Sequence, residues 1–275
     1  MIEEHFFFEG NGAKLFGFTH SPEASPKTGF VFCSPFIEEK VRSQRLYVNF
    51  ARLLSSKGYP VMRFDYMGYG DSEGAFEDAT VDSMVDDTLR AIAVLSERAN
   101  VNDICLFGGR LGGTIAAVAA GKSDSVKSLF LWDPITDGYA YIYKCLRTNL
   151  SMQTLRHGKI LYNREKLIEM ILAGELVNID GYLIGSSFYK SIQDLHLRNH
   201  VDYLPGRILI TQVAKRELPQ ENDLHEFVNI LKQAGRDTVF SELKDAFSWE
   251  SQKFYRPRPR ALFENSLDWI KTQLT

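Results

Sequence analysis

A mostly parallel, doubly wound α/β sheet with helices on both faces is the fold class this sequence predicts, and three observations carry the prediction. Short apolar runs that read as buried strands alternate with longer segments of helical period along most of the chain. With 275 residues, 44% of them hydrophobic, the chain has the material for one large core. At residues 104–117 an apolar strand passes through a glycine-pinched turn directly into a helix of small residues. Ligands of such sheets sit beyond the carboxyl ends of the strands.

Residues 5–20 read as a hairpin, in which His5–Phe8 and Lys14–His20 flank the turn Glu9-Gly10-Asn11-Gly12. Gly29–Cys33 is a short buried strand, and Ser34–Glu39 is the loop after it. A helix is expected over Ser43–Lys57, with Leu46, Val48, Phe50, Leu53 and Leu54 as apolar positions and Gly58 as its stop. Pro60–Asp65 is the next strand and leads into the glycine-rich turn Gly68–Gly74. Thr80 caps a helix to about Glu97, whose core side is Val81, Met84, Val85, Leu89, Ile92 and Leu95.

After the 104–117 unit comes strand Val126–Trp132, which ends in Asp133-Pro134. Between about 135 and 202 the pattern changes: aromatics, lone glycines and amphipathic pieces mix without a clear strand, which suits an inserted helical cap. Alternation then resumes with strand Arg207–Val213, helix Asp223–Ala234, strand Thr238–Leu243 and a helix from about Arg260 to Leu274, preceded by Pro257 and Pro259. The expectation is a single domain over 1–275 with the cap inserted at about 135–202.

Composition excludes several classes. A net charge of −3 and a pI near 6.1 argue against the electrostatic footprint of a nucleic-acid or anionic-membrane binder. Cys33, Cys105 and Cys145 are too few and too scattered for a disulfide framework. The acidic start Met1-Ile2-Glu3-Glu4-His5 and the brief apolar run Phe6-Phe7-Phe8 do not make a secretion signal, and no stretch approaches a membrane span. A soluble cytoplasmic protein is expected.

The chemistry concentrates at Gly108-x-Arg110-x-Gly112. That spacing is the nucleophile elbow G-x-S-x-G of α/β-hydrolases, whose glycines let a strained central residue stand between strand and helix. Here the elbow presents Arg110 where serine is normal. Together with the turn Phe64-Asp65-x-x-Gly68-x-Gly70-Asp71-Ser72-x-Gly74, it resembles the α/β-hydrolase superfamily along nearly the whole chain. Four short motifs, Pro35-Phe36-x-Glu38-Glu39, Gly108-x-Arg110-x-Gly112, Trp132-Asp133-Pro134 and Asp180-Gly181-Tyr182, resemble the hydrolases named for the bacterial exosortase A system, one type of which carries arginine at the elbow. That resemblance implies a setting in exopolysaccharide or surface-protein export.

A serine hydrolase also needs an acid after a late strand and a histidine after the last one. By strand order the acid position falls at Arg216, beside Glu217, and the histidine position at Phe247; no histidine follows His225. Ordinary Ser-His-Asp catalysis is therefore not expected. Cys33 ends its strand facing the site, but with no histidine to activate it the expected role is a packed core thiol. Ser186 and Ser187 read as a cap or turn in the insertion, and Asp65 and Asp71 as fixing their own turn. The histidines lack metal-ligand spacing, so no metal or other cofactor is expected.

Two readings of Arg110 stand. As a ligand fork, it clamps a carboxylate or phosphate at a helix N-terminus, near N–H groups of Leu111 and Phe36 that would once have formed an oxyanion hole. As a structural residue, it pairs with Glu38, Glu39 or Asp133, with Asp133 expected because it ends the neighbouring strand. The two can coexist, since a guanidinium has five donors.

Three functions follow. The first is a triad-less hydrolase relative that binds a small acyl or anionic ligand between Arg110 and the cap. The second is an enzyme, a hydrolase, lyase or acyl-handling activity, using Arg110, Glu38, Glu39 and Asp133 unconventionally. The third is a scaffold that binds a protein partner through cap aromatics such as Tyr139, Tyr141, Tyr143 and Phe188. A cavity closed by its own ion pairs favours the scaffold, and an open polar one with a carboxylate free of Arg110 favours the enzyme.

Overall fold

The computed structural model of the protein describes residues 1–23, 28–214, 222–245, 247, 249 and 259–274. Its strands are β1 (Ile2–Glu9), β2 (Lys14–Ser21), β3 (Thr28–Cys33), β4 (Val61–Phe64), β5 (Asp103–Gly109), β6 (Val126–Trp132), β7 (Val177–Ile179), β8 (Tyr182–Ile184), β9 (Arg207–Ala214) and β10 (Asp237–Lys244). The main sheet runs β1-β2-β4-β3-β5-β6-β9-β10. β1, β2 and β4 pair antiparallel, and every pairing from β4 to β10 is parallel.

The period of two along each strand decides what goes to which face. Phe30 and Phe32 of β3 point into one core layer, with Phe107, Phe130 and Trp132. Val31 and Cys33, one residue out of step, point into the other. Helices α1 (Ile37–Ser56) and α8 (Arg260–Gln273) cover the aromatic layer through Phe50, Leu54, Phe263 and Trp269. Helices α2 (Val81–Ala99), α3 (Leu111–Ala120) and α7 (Asp223–Gln233) cover the opposite, mainly aliphatic layer. The predicted doubly wound sheet is the sheet observed.

Helix ends follow local chemistry. Thr80 caps α2 as expected: its side chain accepts from the Ser83 amide and the Ser83 hydroxyl accepts from the Thr80 amide, a reciprocal capping box. α1 begins six residues before the expected start, at Ile37 instead of Ser43. The stretch read as a loop carries Glu38 and Glu39, which suit a first helical turn where amides lie unpaired and the dipole is positive.

The segment between β6 and β9 contains α4 (Gly138–His157), α5 (Arg164–Leu172) and α6 (Ser186–Gln193), as its helical pattern suggested. It is not strand-free. Val177–Ile179 pairs antiparallel with Tyr182–Ile184 across the turn Asp180-Gly181, which takes φ values of +52° and +95°. Two three-residue strands around a left-handed turn are too short for the alternation that marks a strand in sequence. Nor are the insertion's aromatics mainly surface groups: Tyr141 and Phe188 are buried, and Phe188 stacks on Phe36 at 4.7 Å between ring centroids.

Candidate functional site at the arginine elbow

The elbow has the tight form its glycines require. Arg110 sits between β5 and α3 at φ +53° and ψ −132°, a conformation L-residues seldom adopt. A Cβ on Gly108 would lie 2.5 Å from the carbonyl of Gly112, and one on Gly112 would collide with the carbonyl oxygens of Cys33 and Ser34. The Arg110 amide donates to the Trp132 carbonyl at 3.0 Å, which ties the turn to the end of β6.

At that spot the strands β3, β5 and β6 end together, and each end is strained. Among the described residues, the non-glycine positions with positive φ are Ile37 (+39°), Asn100 (+52°), Arg110 (+53°), Asp133 (+45°) and Asp180 (+52°). Asn100 is the left-handed cap of α2; the others belong to this site. Ile37, Arg110 and Asp180 line one cavity, and Asp133 lies against Arg110. For β-branched Ile37 such a φ is a genuine outlier, and strain of this kind collects at functional sites.

The partner of Arg110 is Glu39. Its Nε donates to Glu39 Oε1 at 2.9 Å, and the Tyr141 hydroxyl donates to Glu39 Oε2 at 2.7 Å. The guanidinium also lies over the Tyr141 ring, 5.7 Å from its centroid. Burial opposes the charge on Arg110, but Glu39 first and then Tyr141 outweigh it and hold its proton more tightly than usual. The Tyr141 phenol is pushed well above its ordinary value, by burial first and then by Glu39.

Asp133, the partner expected from the sequence, is engaged elsewhere, and this corrects the reading. Only its backbone carbonyl reaches Arg110, with Nη1 at 3.5 Å. Its carboxylate turns away and accepts from the Val213 amide at 3.2 Å and from the Trp249 indole at 2.8 Å. Asp133 has a positive φ, and its carboxylate meets Val213 of β9 instead of the elbow. Burial raises its carboxyl from 3.8 to about 6, with Trp249 and Arg110 pulling the other way. Glu38, the other candidate, pairs with Arg42 one turn along α1 at 3.5 Å.

The remaining expected residues fall as follows. Leu111 is the first residue of α3 and Phe36 the residue before α1; neither backbone N–H donates to another group among the described residues. Phe247 is buried with its ring 4.8 Å from that of Trp249. Trp249, two residues on, touches the elbow: it lines the cavity, packs beside Gly109 and holds Asp133. Arg216 and Glu217, the expected acid position, lie outside the described residues, as does Pro257. Cys33 is a fully buried thiol pushed to about 12 by burial, consistent with packing. Asp65 does fix its turn, accepting from the Asp71 amide at 3.2 Å and pairing with Lys40 at 2.6 Å.

The cavity above Arg110 has a volume of about 480 Å³. Its floor is Arg110, Glu39 and Tyr141; α4 adds Lys144, Cys145, Arg147, Thr148 and Ser151, and Ile37, Glu38, Arg42, Asp180 and Trp249 complete the wall. These α4 residues and Asp180 were not foreseen, because nothing in the insertion's sequence says which of its turns faces the elbow. A larger cleft of about 680 Å³ lies between α1, the β1–β2 hairpin and the Gly68–Gly74 turn, but its lining includes neither Arg110 nor Glu39, and its Lys40 and Asp65 are already paired. Among the described residues no three His, Cys, Asp or Glu side chains gather as a metal ligand set, and no helix is long and apolar enough to cross a membrane.

The sheet order and the elbow define an α/β-hydrolase fold. A family model described as serine aminopeptidase, S33, matches residues 24–177, and the chain belongs to that family. It is similar to the Escherichia coli O157:H7 uncharacterized protein YfhR, at 33% identity over 93 residues that are 32% of this chain and 31% of that protein. It is also similar to human protein ABHD12B, at 27% identity over 51% of this chain and 41% of that one. The chain thus spans less than half the length of either relative. The crystal structure of the α/β hydrolase GrgF from Penicillium sp. sh18 superposes with a TM-score of 0.68 at 16% identity, covering 100% of this chain and 99% of that one.

Proposed function

We propose that this protein is a hydrolase-fold binder of a small anionic or acyl ligand, held over Arg110 between the elbow and the insertion, and that it does not use a Ser-His-Asp triad. The observation that carries the reading is the Arg110–Glu39–Tyr141 network at the floor of an open cavity whose charged lining sets Arg42, Arg110, Lys144 and Arg147 against Glu38, Glu39 and Asp180. Glu39 takes the Nε hydrogen and the Asp133 carbonyl one hydrogen of Nη1, which leaves Nη2 of the fork to donate to a carboxylate. Lys144 and Arg147 add positive charge around it, Arg42 being paired with Glu38, and a cavity of about 480 Å³ matches the size of small-molecule sites. The indole beside the elbow supports the absence of a triad: Trp249 donates to Asp133 as a catalytic histidine would, yet an indole N–H cannot accept a proton.

In this reading the chain is one domain, with 135–202 as its cap. It is a cytoplasmic member of the arginine-elbow type that resembles the exosortase A system-associated hydrolases, with the export setting that implies. The test is native mass spectrometry of the purified protein, followed by thermal-shift titration with short- and medium-chain carboxylates. A co-purified small anion, or a carboxylate shift lost in Arg147→Ala, is the expected result. Absence of both, or stoichiometric labelling of any serine by a fluorophosphonate, would overturn it.

One observation favours a second reading, chemistry at the same site. Asp180 lines the cavity at φ +52° with a carboxylate that does not touch Arg110, and burial raises its proton affinity. Turnover of an acyl ester or thioester that is lost in Asp180→Asn and proceeds without serine labelling would decide for it.

A further inference from the structure

The arm formed by the distal half of α4, the loop after it and the start of α5 combines two properties that the rest of the protein keeps apart. Residues 148–164 contain Arg156, Lys159 and Arg164 and no aspartate or glutamate, with Lys144 and Arg147 on the turn before and Glu165 directly after, in a chain whose net charge is −3. The same arm holds large apolar side chains in solvent: Met152 is 53% exposed, Leu155 80%, Ile160 54%, Leu161 46% and Tyr162 45%.

These side chains do not belong to a loose tail. α4 buries Tyr141, Ile142 and Leu146 near its start and nothing after them, so its second half projects from the body. The loop at the tip is tied back to that half by Gln153, whose Oε1 accepts from the amides of Leu161 and Tyr162 at 2.6 and 2.8 Å and whose Nε2 donates to the Tyr162 carbonyl at 3.0 Å. The start of α5 is fixed by Arg164, stacked on the Tyr143 ring at 4.0 Å, and by the Tyr143 hydroxyl donating to Glu165 at 2.7 Å. An ordered tip that presents apolar groups beside the exposed cations Arg156 and Lys159 is built to be covered.

We propose that this arm docks the protein on an anionic lipid surface. The charge excludes a second copy of the same arm as the occupant, since two such faces would bring like charges together. Apolar side chains at a tip flanked by lysine and arginine match the requirements of an interfacial anchor, in which the apolar groups enter the headgroup boundary and the cations meet lipid phosphates and carboxylates. Tyr162, with an apolar ring and a polar end, suits that boundary. The overall negative charge conceals the site because the tip between Asp137 and Glu165 carries no acidic residue of its own. The docking surface does not depend on the ligand proposed for the Arg110 cavity.

The experiment is co-sedimentation of the full-length protein with vesicles of phosphatidylcholine alone and of phosphatidylcholine with phosphatidylserine. The wild type sediments with the phosphatidylserine vesicles and is released as salt is raised. Arg156→Ala with Lys159→Ala weakens that partition by roughly 20-fold, about five-fold per cation. Leu155→Ser with Ile160→Ser weakens it at least as much while leaving the thermal unfolding midpoint unchanged, which separates loss of docking from loss of fold. Leu161→Trp reports insertion by a blue shift on adding the anionic vesicles. Equal sedimentation of wild type and both double variants, absence of binding to either vesicle, or capture of an acidic protein by an arm that ignores phosphatidylserine would each overturn the proposal.

Discussion

The elbow and the arm use the same residue types to opposite ends. At the elbow, Arg110 is largely enclosed and its charge is met inside the molecule by Glu39 and Tyr141. On the arm, Arg156 and Lys159 are exposed, and leucine and isoleucine stand in solvent beside them. In the first region the fold dictates each side chain, to the point of imposing positive φ on Ile37, Arg110 and Asp133. In the second the fold only holds a platform steady, through Gln153 and Arg164. Substitutions should therefore cost stability at the elbow and leave it untouched on the arm, and that contrast can be tested from its strongest case downward.

The largest effect is expected at Gly112. A methyl there meets the carbonyl oxygens of Cys33, held in the parallel pairing of β3 with β5, and of Ser34, the next residue along the chain. Gly112→Ala should cost about 4 kcal/mol or more, because neither partner can move aside. Urea denaturation followed by circular dichroism measures it; a loss below about 1 kcal/mol would show that the elbow is looser than its contacts imply.

Next comes the ion pair. Glu39→Ala leaves Arg110 without a carboxylate in a mostly enclosed site, and the expected loss is about 3 kcal/mol, at the low end for buried pairs because each side chain keeps roughly a fifth of its exposure, 19% and 18%. Arg110→Met with Glu39→Leu should recover much of that. Arg110→Met with Asp133→Leu should not, since the Asp133 carboxylate is hydrogen-bonded to Val213 and Trp249 and not to the guanidinium. Recovery by the second pair and not the first would reverse the assignment of the partner.

Asp133 adds a pH signature. Its carboxyl is raised from 3.8 to about 6 by burial, so the folded protein takes up the proton more readily than the unfolded chain. The stabilisation from the protonated form is fully present below pH ~4 and is lost as pH rises through ~6, about 2–3 kcal/mol in all. Asp87, raised to about 6 by its own burial, contributes a parallel slope, so the comparison must be between wild type and Asp133→Asn. Asparagine tolerates a positive φ and still accepts from Trp249. The variant should match the wild type near pH 4 and gain on it steadily to pH 7; a constant offset across that range would mean that Asp133 does not titrate there.

The sequence made the sheet, the elbow and the Thr80 cap legible because each is written in local signals, namely apolar runs, glycine spacing and a side chain three residues from the amide that donates to it. It also placed Arg110, Glu38, Glu39 and Asp133 near one another, since strand ends in a parallel sheet converge. The pairing among them was not legible. Proximity by strand order favoured Asp133, and the choice of Glu39 depends on α1 starting at Ile37 and on Tyr141 descending from the insertion. The β7–β8 hairpin escaped because three-residue strands carry no periodicity. Global charge is coarse for a related reason: an average of −3 says nothing about a run from 138 to 164 without a single acid.

The smallest expected effect is the one that most sharpens the contrast. Leu155 is 80% exposed and sits three residues before the Gly158 cap of α4. If the arm were a structural brace, removing its largest exposed aliphatic group would uncouple α4 from α5 and lower stability. If it is a platform for something outside the chain, the loss of that side chain removes almost no contact in the free protein. Surface substitutions away from caps and buried groups fall within about 0.5 kcal/mol of zero, and serine is little worse than leucine as a helix former near a frayed end. Leu155→Ser should therefore leave the urea midpoint and its slope where they are, while Glu39→Ala moves the midpoint by several times the experimental error. A stability loss above about 1 kcal/mol at Leu155 would mean that the arm packs against the protein itself and that its exposed apolar groups need no outside partner.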